Sequence, residues 1–198
     1  MELMRQFPDK HFELAIVDPP YGINMSGSKL SQRKNGTQSR KFYTEKGWDS
    51  AIPNDAYFDE LVRVSKNQIV WGGNYFPLPL SRCWIFWYKM QNDLTMSDGE
   101  LAWTSFDQPA RQFSLHRSKL WAEGTIHPTQ KPVALYRWLL HNYAKPGDKI
   151  LDTHLGSGSI AIACHEKSFD LTGSELDADY FAAMQARLKQ ATAQASLF

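Results

Sequence analysis

The strongest constraint on the fold is a short apolar run that two prolines bring to an end. Leu14–Val17 are all apolar, and Asp18-Pro19-Pro20 follows immediately. Because proline has no backbone N–H donor, it cannot continue a hydrogen-bonded ladder, so a strand here has to stop at Asp18. A short apolar run bounded in this way is typical of a buried strand. We therefore predict a buried strand with the Asp18 carboxylate at its carboxyl end.

Predicted strands and helices alternate along the rest of the chain. Its 198 residues suffice for one α/β domain with a sizeable core and are too few for two domains and a linker. Strands are predicted at 68–73, 83–88, 149–152 and 170–175, with one or two more within 100–115. Helices are predicted at 55–66, capped by Asn54 or Asp55, and at 133–143, 159–167 and 177–195.

Composition excludes several classes of protein. Lys and Arg total 22 and Asp and Glu total 21, so affinity for nucleic acid has to come from local clustering of charge and not from the whole chain. Cys83 and Cys164 are the only cysteines, which excludes a disulfide framework and a multi-cysteine zinc site. No apolar run approaches the length of a membrane span, and the start lacks the order of a secretory signal. We expect a cytoplasmic protein with no metal centre.

A strand, a glycine-rich turn and a helix near the carboxyl terminus have the pattern of a nucleoside-type cofactor site. The strand ends at Asp152, and Gly156-Ser157-Gly158 precedes the helix. Glycines let a ligand approach the backbone, and the helix start offers unpaired N–H groups. Glu175 follows about 20 residues later, where an acid in such folds accepts hydrogen bonds from ribose. A third glycine is missing, which disfavours a dinucleotide, and a plain structural turn is the alternative.

The segment after the first strand has the groups needed to hold an aromatic amine. The Asp18 carboxylate and the Pro19 carbonyl can each accept an N–H from an amino group on a planar heterocycle, and Tyr21 can stack on the ring. The alternative is that Asp18-Pro19-Pro20-Tyr21 is only a strand-ending turn.

Five motifs, taken in order, resemble those of the amino-group DNA methyltransferases. They are Asp18-Pro19-Pro20-Tyr21-Gly22, Trp71-Gly72-Gly73-Asn74, His127-Pro128-Thr129-Gln130-Lys131-Pro132, Asp152-Thr153-His154-Leu155-Gly156-Ser157-Gly158 and Ser174-Glu175-Leu176-Asp177. The order, with the catalytic motif first, resembles the beta group and in particular short phage or prophage enzymes. The resemblance implies a Rossmann-like S-adenosylmethionine-dependent methyltransferase fold, circularly permuted, with a mostly parallel twisted sheet and helices on both faces.

The resemblance also implies an activity and a set of site residues. Methyl transfer from S-adenosyl-L-methionine would go to the N6 amine of an adenine flipped out of the duplex. The implied catalytic residues are Asp18, Pro19, Pro20 and Tyr21. The implied donor-binding residues are Asp18, His127, Thr129, Lys131, Pro132, Asp152, Thr153, Gly156, Ser157, Gly158 and Glu175. Asp at the first motif position leans to adenine in the family and Ser leans to cytosine. N4-cytosine methylation, methylation of RNA or protein, and a catalytically impaired DNA-binding remnant remain alternatives.

One methyltransferase domain is expected over residues 1–198, with a DNA-contacting loop at 22–50 and a target-recognition segment at 82–126. Six basic residues and the single acid Glu45 lie between Gly22 and Lys46, next to the catalytic motif, where phosphate contacts with double-stranded DNA are expected. These residues are Lys29, Arg33, Lys34, Arg40, Lys41 and Lys46. A homodimer and a restriction-modification role are left open.

Two departures from the family pattern lead to further expectations. The family commonly has Pro-Phe where Thr153-His154 stand, so His154 either packs in place of the phenyl ring or faces solvent. Members usually have another strand before the helix that precedes the catalytic strand, and Met1 begins within that helix. We therefore expect the sheet to lack one edge strand, and either that the protein holds the donor less tightly or that the sequence is truncated.

Overall fold

In a computed structural model, the described residues are 1–24, 46–90, 97–116, 119 and 124–195. They contain a seven-stranded sheet in the order β5-β3-β4-β2-β1-β6-β7. The strands are β1 (Phe12–Val17), β2 (Ser65–Trp71), β3 (Trp84–Tyr88), β4 (Gly99–Thr104), β5 (Arg111–Ser114), β6 (Lys149–Asp152) and β7 (Asp170–Gly173). The helices are α1 (Glu2–Arg5), α2 (Asp55–Val64), α3 (Val133–Tyr143), α4 (Ser159–Lys167) and α5 (Ala178–Ala195), with a 3-10 turn at Gly73–Tyr75.

The sheet is mostly parallel, as predicted. Among the described strands, only β4 runs antiparallel to its neighbours β2 and β3, and the remaining pairs are parallel. Because β2, β1, β6 and β7 are adjacent and parallel, their carboxyl ends lie along the same edge of the sheet. Four of the five predicted motifs lie at or directly after the ends of these strands, and the motif His127–Pro132 precedes α3. β7 forms one edge of the sheet that the structure describes.

Strand β1 is buried on both faces, which explains its continuous apolar sequence. Leu14 and Ile16 belong to a core cluster that includes residues of α3 and α4. Ala15 and Val17 belong to a second cluster, which includes residues of α1 and α2. Complete burial of a side chain of this size contributes about 1.5–3 kcal/mol. The two cores therefore fix β1 in the middle of the sheet and with it the position of Asp18.

The boundaries of β2 differ from the prediction for a local reason, whereas the start of α2 agrees with it. The second strand begins earlier than predicted, at Ser65, and ends at Trp71, because Gly72 has a φ of +67° and starts a turn. Helix α2 begins after Asn54, whose side chain accepts a hydrogen bond from the Tyr57 N–H at 3.2 Å, as the sequence predicts for a cap. Among the described residues, no helix combines the length and the apolar character needed to cross a bilayer.

Candidate active site

The Asp18 carboxylate lies directly after β1 and makes two strong hydrogen bonds. Its Oδ1 accepts from the Tyr21 hydroxyl at 2.6 Å, and its Oδ2 accepts from Lys131 Nζ at 2.5 Å. Burial raises the pKa of Asp18, and the Lys131 ammonium opposes that rise. Both oxygens are thus oriented by groups within the protein before any substrate binds.

Lys131 connects Asp18 to two residues that sequence reasoning did not single out. Its Nζ lies 3.0 Å from Glu100 Oε2, and Lys89 Nζ lies 2.7 Å from Glu100 Oε1. Burial raises the pKa of Glu100, but Lys131 and Lys89 outweigh this effect and lower it to about 2. Glu100 is therefore ionised at neutral pH. Lys131 was predicted to contact the donor, and the structure places its ammonium between these two carboxylates.

The Tyr21 ring occupies a space that Gly72 keeps open. It stacks on Tyr75 with ring centroids 5.0 Å apart and planes 12° from parallel. A Cβ at Gly72 would lie 2.2 Å from Tyr21 Cε1, and a Cβ at Gly73 would lie 2.4 Å from the Cβ of Trp103. The glycine pair after β2 is thus required by close packing on both sides. One consequence is that Tyr21 already has an aromatic neighbour.

Asp49 holds the backbone of the catalytic segment. Its Oδ1 accepts hydrogen bonds from the N–H groups of Tyr21 at 2.7 Å and Gly22 at 2.9 Å. Asp49 is 1% exposed, so these bonds are shielded from water and stronger than surface ones. Sequence reasoning missed this residue, because a lone acid beyond a long polar loop belongs to no motif.

The glycine-rich turn lies between β6 and α4, where the sequence predicts a turn. Gly156 and Gly158 have positive φ values of +49° and +70°, which L side chains rarely adopt. A Cβ at Gly158 would lie 2.2 Å from Met184 Cγ. Arg187 donates a hydrogen bond to the Ser157 carbonyl at 2.9 Å. The turn is therefore packed against α5 as well as leading into α4.

Two acids at the ends of β6 and β7 border this turn. Glu175 accepts hydrogen bonds from the backbone N–H of Gly156 at 2.7 Å and of Asp177 at 2.9 Å. A carboxylate has about four acceptor positions, so Glu175 can still accept from ribose hydroxyls. Asp152 is 1% exposed, and burial raises its pKa to about 8, although its Oδ1 accepts from the His154 N–H.

His127 lies over the glycine-rich turn within an aromatic group. Its ring centroid is 4.4 Å from that of Tyr180 and 5.2 Å from that of Trp48, and a Cβ at Gly156 would lie 3.9 Å from it. Nδ1 lies 3.2 Å from the Thr129 hydroxyl. Burial lowers the pKa of His127 to about 4, so the imidazole is neutral at pH 7.

The predicted donor segment ends at Pro132, the N-cap residue of α3. Gln130, a residue that the prediction did not include, holds this segment in place. Its amide accepts from the Ile126 N–H at 3.0 Å and donates to the Gly124 carbonyl at 2.9 Å. Gln130 is 5% exposed, so it braces the loop that presents His127 and Lys131.

His154 packs against the protein and is only partly exposed to solvent. Its ring lies edge-on to Tyr57, with centroids 5.6 Å apart, and its Nδ1 lies 2.9 Å from the Thr153 hydroxyl. The same hydroxyl lies 2.7 Å from the Tyr57 hydroxyl. Burial lowers the pKa of His154 to about 4. A neutral imidazole therefore occupies the position where the family commonly has a phenyl ring.

Most of the predicted DNA-contacting residues lie outside the described part of the chain. They are Lys29, Arg33, Lys34, Arg40 and Lys41. Lys46 is described, and its Nζ lies 2.7 Å from carboxylate oxygens of both Asp177 and Asp179 and 4.7 Å above the Tyr180 ring. It thus ties the end of the basic segment to the start of α5, and its contact with DNA stays a prediction.

Neither cysteine is placed for nucleophilic attack. Both Cys83 and Cys164 are buried, and burial raises the pKa of Cys164 to about 12, so its reactive thiolate form is scarce at neutral pH. Within the residues that the structure describes, no group of three or more His, Cys, Asp or Glu side chains is arranged to hold a metal ion.

Comparison with protein families assigns the chain. Residues 79–186, more than half of its length, match the N6/N4 methyltransferase family model described as DNA methylase. The chain belongs to this DNA methylase family. The match covers the predicted donor motifs, whereas the Asp18 motif precedes it.

Two curated relatives match parts of this DNA methylase chain. The Type II methyltransferase M.XycI of Xanthomonas campestris pv. cyanopsidis is 30% identical over 93 residues, which are 44% of this chain and 31% of the relative. The Type II methyltransferase M.HpaI of Haemophilus parainfluenzae is 34% identical over 62 residues, 31% of this chain and 20% of the relative. The aligned regions thus span less than a third of either relative.

Two solved structures resemble the DNA methylase chain over nearly its whole length. The M1.HpyAVI-SAM complex has a TM-score of 0.59 at 18% identity and covers 94% of both chains. The cytosine-N4-specific PvuII DNA methyltransferase has a TM-score of 0.57 at 14% identity, covering 96% of this chain and 87% of that one. At such identities the likeness shows the fold, and it confirms the predicted methyltransferase fold class.

Proposed function

We propose that this chain transfers a methyl group from S-adenosylmethionine to the N6 amine of an adenine in double-stranded DNA. The observation that carries the proposal is the juxtaposition of two motifs on adjacent parallel strands. Asp18 follows β1, and the turn at Gly156–Gly158 follows β6, which pairs with β1. The two strands end at the same edge of the sheet, so a donor on one and an amine on the other would meet there.

The residues around the glycine turn suit a nucleoside donor. Gly156 has no atom closer than 3.9 Å to a Cβ built on it, so the backbone there is open to a ligand. Glu175 would accept hydrogen bonds from the ribose, and the neutral His127 ring would border the donor without repelling its positive charge. The donor supplies a methyl group on a sulfonium, which is electrophilic. The family match of residues 79–186 supports this choice of donor.

The Asp18 side would orient the target amine. An exocyclic amine is a poor nucleophile because its lone pair is delocalised into the ring, and positioning is the main requirement. The Asp18 carboxylate and the Pro19 carbonyl would accept its N–H groups. The Tyr21 hydroxyl already donates a hydrogen bond to Asp18 Oδ1 at 2.6 Å. It therefore has to share this acceptor with the amine or give up its hydrogen bond. Tyr21 would then be available to stack on the base.

Adenine is proposed over cytosine on the identity of residue 18. The family leans to adenine when its catalytic motif begins with Asp, as it does here, and to cytosine when it begins with Ser. The N4-specific PvuII enzyme has the same fold, which keeps N4-cytosine methylation as the alternative. The product distinguishes the two directly, since N6-methyladenine and N4-methylcytosine separate after digestion to nucleosides.

A methyl-transfer assay on unmethylated plasmid with tritium-labelled donor tests the proposal. We expect incorporation by the wild type, a loss of about a hundredfold to a thousandfold in Asp18→Ala, as expected when a group that orients the reactants is removed, and no change in Asp9→Ala. Asp9 is a matched control because its side chain is 76% exposed and pairs with Arg63 at the surface. DNA binding without incorporation by the wild type would instead identify a DNA-binding remnant of the fold.

The basic segment is proposed to contact the DNA backbone. Neutralising phosphates releases counterions, so the logarithm of the binding constant falls with the logarithm of salt concentration with a slope of about −0.9 per contact. Replacing Lys29, Arg33 and Lys34 together by Ala should weaken DNA binding and make that slope shallower. Donor binding, measured separately, should stay unchanged.

A further inference from the structure

We propose that Glu100 is a positioning residue of the active site, which holds Lys131 against Asp18. Asp18, Lys131, Glu100 and Lys89 form a row of four charges. Together with Lys89, Glu100 keeps this row neutral beside the donor's sulfonium. The inference rests on the proposed function, because it assigns an electrostatic task toward the donor. Glu100 lies on β4, outside every motif that the sequence analysis identified.

The row is continuous and largely withdrawn from water. Asp18 contacts Lys131 at 2.5 Å, Lys131 contacts Glu100 at 3.0 Å, and Glu100 contacts Lys89 at 2.7 Å. The side chain of Lys131 is only 2% exposed, and that of Lys89 is 12% exposed. Removing charged groups from water costs several kcal/mol per ion unless partners compensate. Each cation in the row has a carboxylate partner, and Lys131 has two.

Indole rings lie beside both ammonium groups. Lys131 Nζ is 5.1 Å from the centroid of Trp71, and Lys89 Nζ is 5.2 Å from that of Trp87. Trp71 and Trp87 are 0% and 2% exposed. Apolar surroundings of this kind weaken dielectric screening, so a change of one charge in the row is felt at its other end.

Glu100 has two effects on Asp18 that follow from this geometry. It draws part of the Lys131 ammonium's hydrogen bonding to itself, which leaves Asp18 a better acceptor for an incoming amine. It also offsets a positive charge, so that two cations balance two carboxylates. Without Glu100 the row would have one excess positive charge next to the place where a sulfonium has to bind.

The charge effect separates this role from a purely structural one. S-adenosylmethionine has a sulfonium, whereas the product S-adenosylhomocysteine has a neutral thioether and the same remaining groups. An excess positive charge in the row would weaken binding of the first compound and spare the second. A structural defect at Glu100 would instead weaken the binding of both compounds by the same factor.

Calorimetric titration of both compounds into the full chain tests the inference. In Glu100→Gln we expect the preference for S-adenosylmethionine over S-adenosylhomocysteine to fall at least fivefold relative to wild type. In Lys89→Met the same preference should rise, because the row then has an excess negative charge. The double variant Lys89→Met/Glu100→Gln restores neutrality and should return the preference to within twofold of wild type.

Three outcomes have distinct meanings. An unchanged preference in both single variants, with wild-type binding intact, overturns the inference and leaves the proposed function in place. The inference is also overturned if Glu100→Gln binds both compounds more weakly by the same factor and Lys89→Met shows no rise in the preference for S-adenosylmethionine. Failure of the wild type to bind either compound overturns the proposed function and the inference with it. If Glu100→Gln does not fold, the change of preference in Lys89→Met tests the inference by itself.

Discussion

One carboxylate oxygen of Asp49 accepts the backbone N–H groups of both Tyr21 and Gly22, at 2.7 and 2.9 Å. The bond from Tyr21 joins residues 28 positions apart, and the burial of Asp49 shields both bonds from water. Together they fix the backbone that follows Pro20, and therefore the place from which Tyr21 reaches Asp18.

We expect Asp49→Ala to lower stability and methyl transfer together. Leaving two partly buried N–H groups without an acceptor costs at most about 1–3 kcal/mol per group, and displacement of the segment should reduce kcat by at least tenfold. Urea unfolding and the tritium assay measure the two effects. Asp49→Asn keeps an uncharged acceptor and should lose less of each, and equal losses in both variants would contradict this explanation.

Gly72→Ala should lower the stability of the protein more than Gly147→Ala. Both glycines have a positive φ, but only the new Cβ at Gly72 would meet neighbouring atoms. At Gly72 the φ is +67° and the new Cβ would lie 2.2 Å from Tyr21, whereas Gly147 has a φ of +88° and no atom within 4 Å. Ala in this conformation costs roughly 1–2 kcal/mol, and overpacking adds about 1–3 kcal/mol. Thermal unfolding should show the larger loss in Gly72→Ala only. Equal losses would mean that Tyr21 moves freely.

His154 should make the protein less stable in acid. Burial lowers its pKa from 6.5 to about 4, so between these values the unfolded chain binds a proton that the folded chain does not. The contribution of His154 to stability is therefore constant above about pH 6.5 and falls as the pH drops towards 4. His154→Phe removes this contribution, so the unfolding free energy of the variant should fall less steeply with decreasing pH than that of the wild type. The two slopes should differ by at most about 1.4 kcal/mol per pH unit.

The His127 contribution is retained in that variant, since its pKa is also lowered to about 4 by burial. A residual slope over the same range is therefore expected. If His154→Phe and wild type gave parallel curves of unfolding free energy against pH, His154 would have to titrate normally in the folded protein.

Asp152 should have the opposite pH dependence. Burial raises its pKa from 3.8 to about 8, so between these values the folded protein keeps a proton that the unfolded chain releases. Its contribution to stability is complete below about pH 4 and declines as the pH rises to 8. In Asp152→Asn this decline disappears, which Tm values at pH 5 and pH 8 would measure. Asp170→Asn, at an exposed position on β7, should behave like wild type.

Local patterns in the sequence were enough to predict the main elements and two parts of the site. The apolar run stopped by prolines placed Asp18 at a strand end, and the glycines after Asp152 predicted a turn between a strand and a helix, where Gly156 and Gly158 have positive φ in the structure. These features depend on the conformational limits of proline and glycine, which act within a few residues. They are therefore visible without knowledge of the fold.

The partners of Asp18 were set by the arrangement of distant strands. Lys131 comes 113 positions after Asp18, and Glu100 reaches it from a strand that runs antiparallel to β2. Neither Glu100 nor Asp49 lies in a recognisable motif, because the spacing between such residues depends on loop lengths and strand order. The sequence alone determines which elements form and, at its prolines and glycines, where several of them stop. Only the tertiary structure decides which buried charges face one another, since burial and long-range pairing, unlike backbone preference, are properties of the assembled sheet.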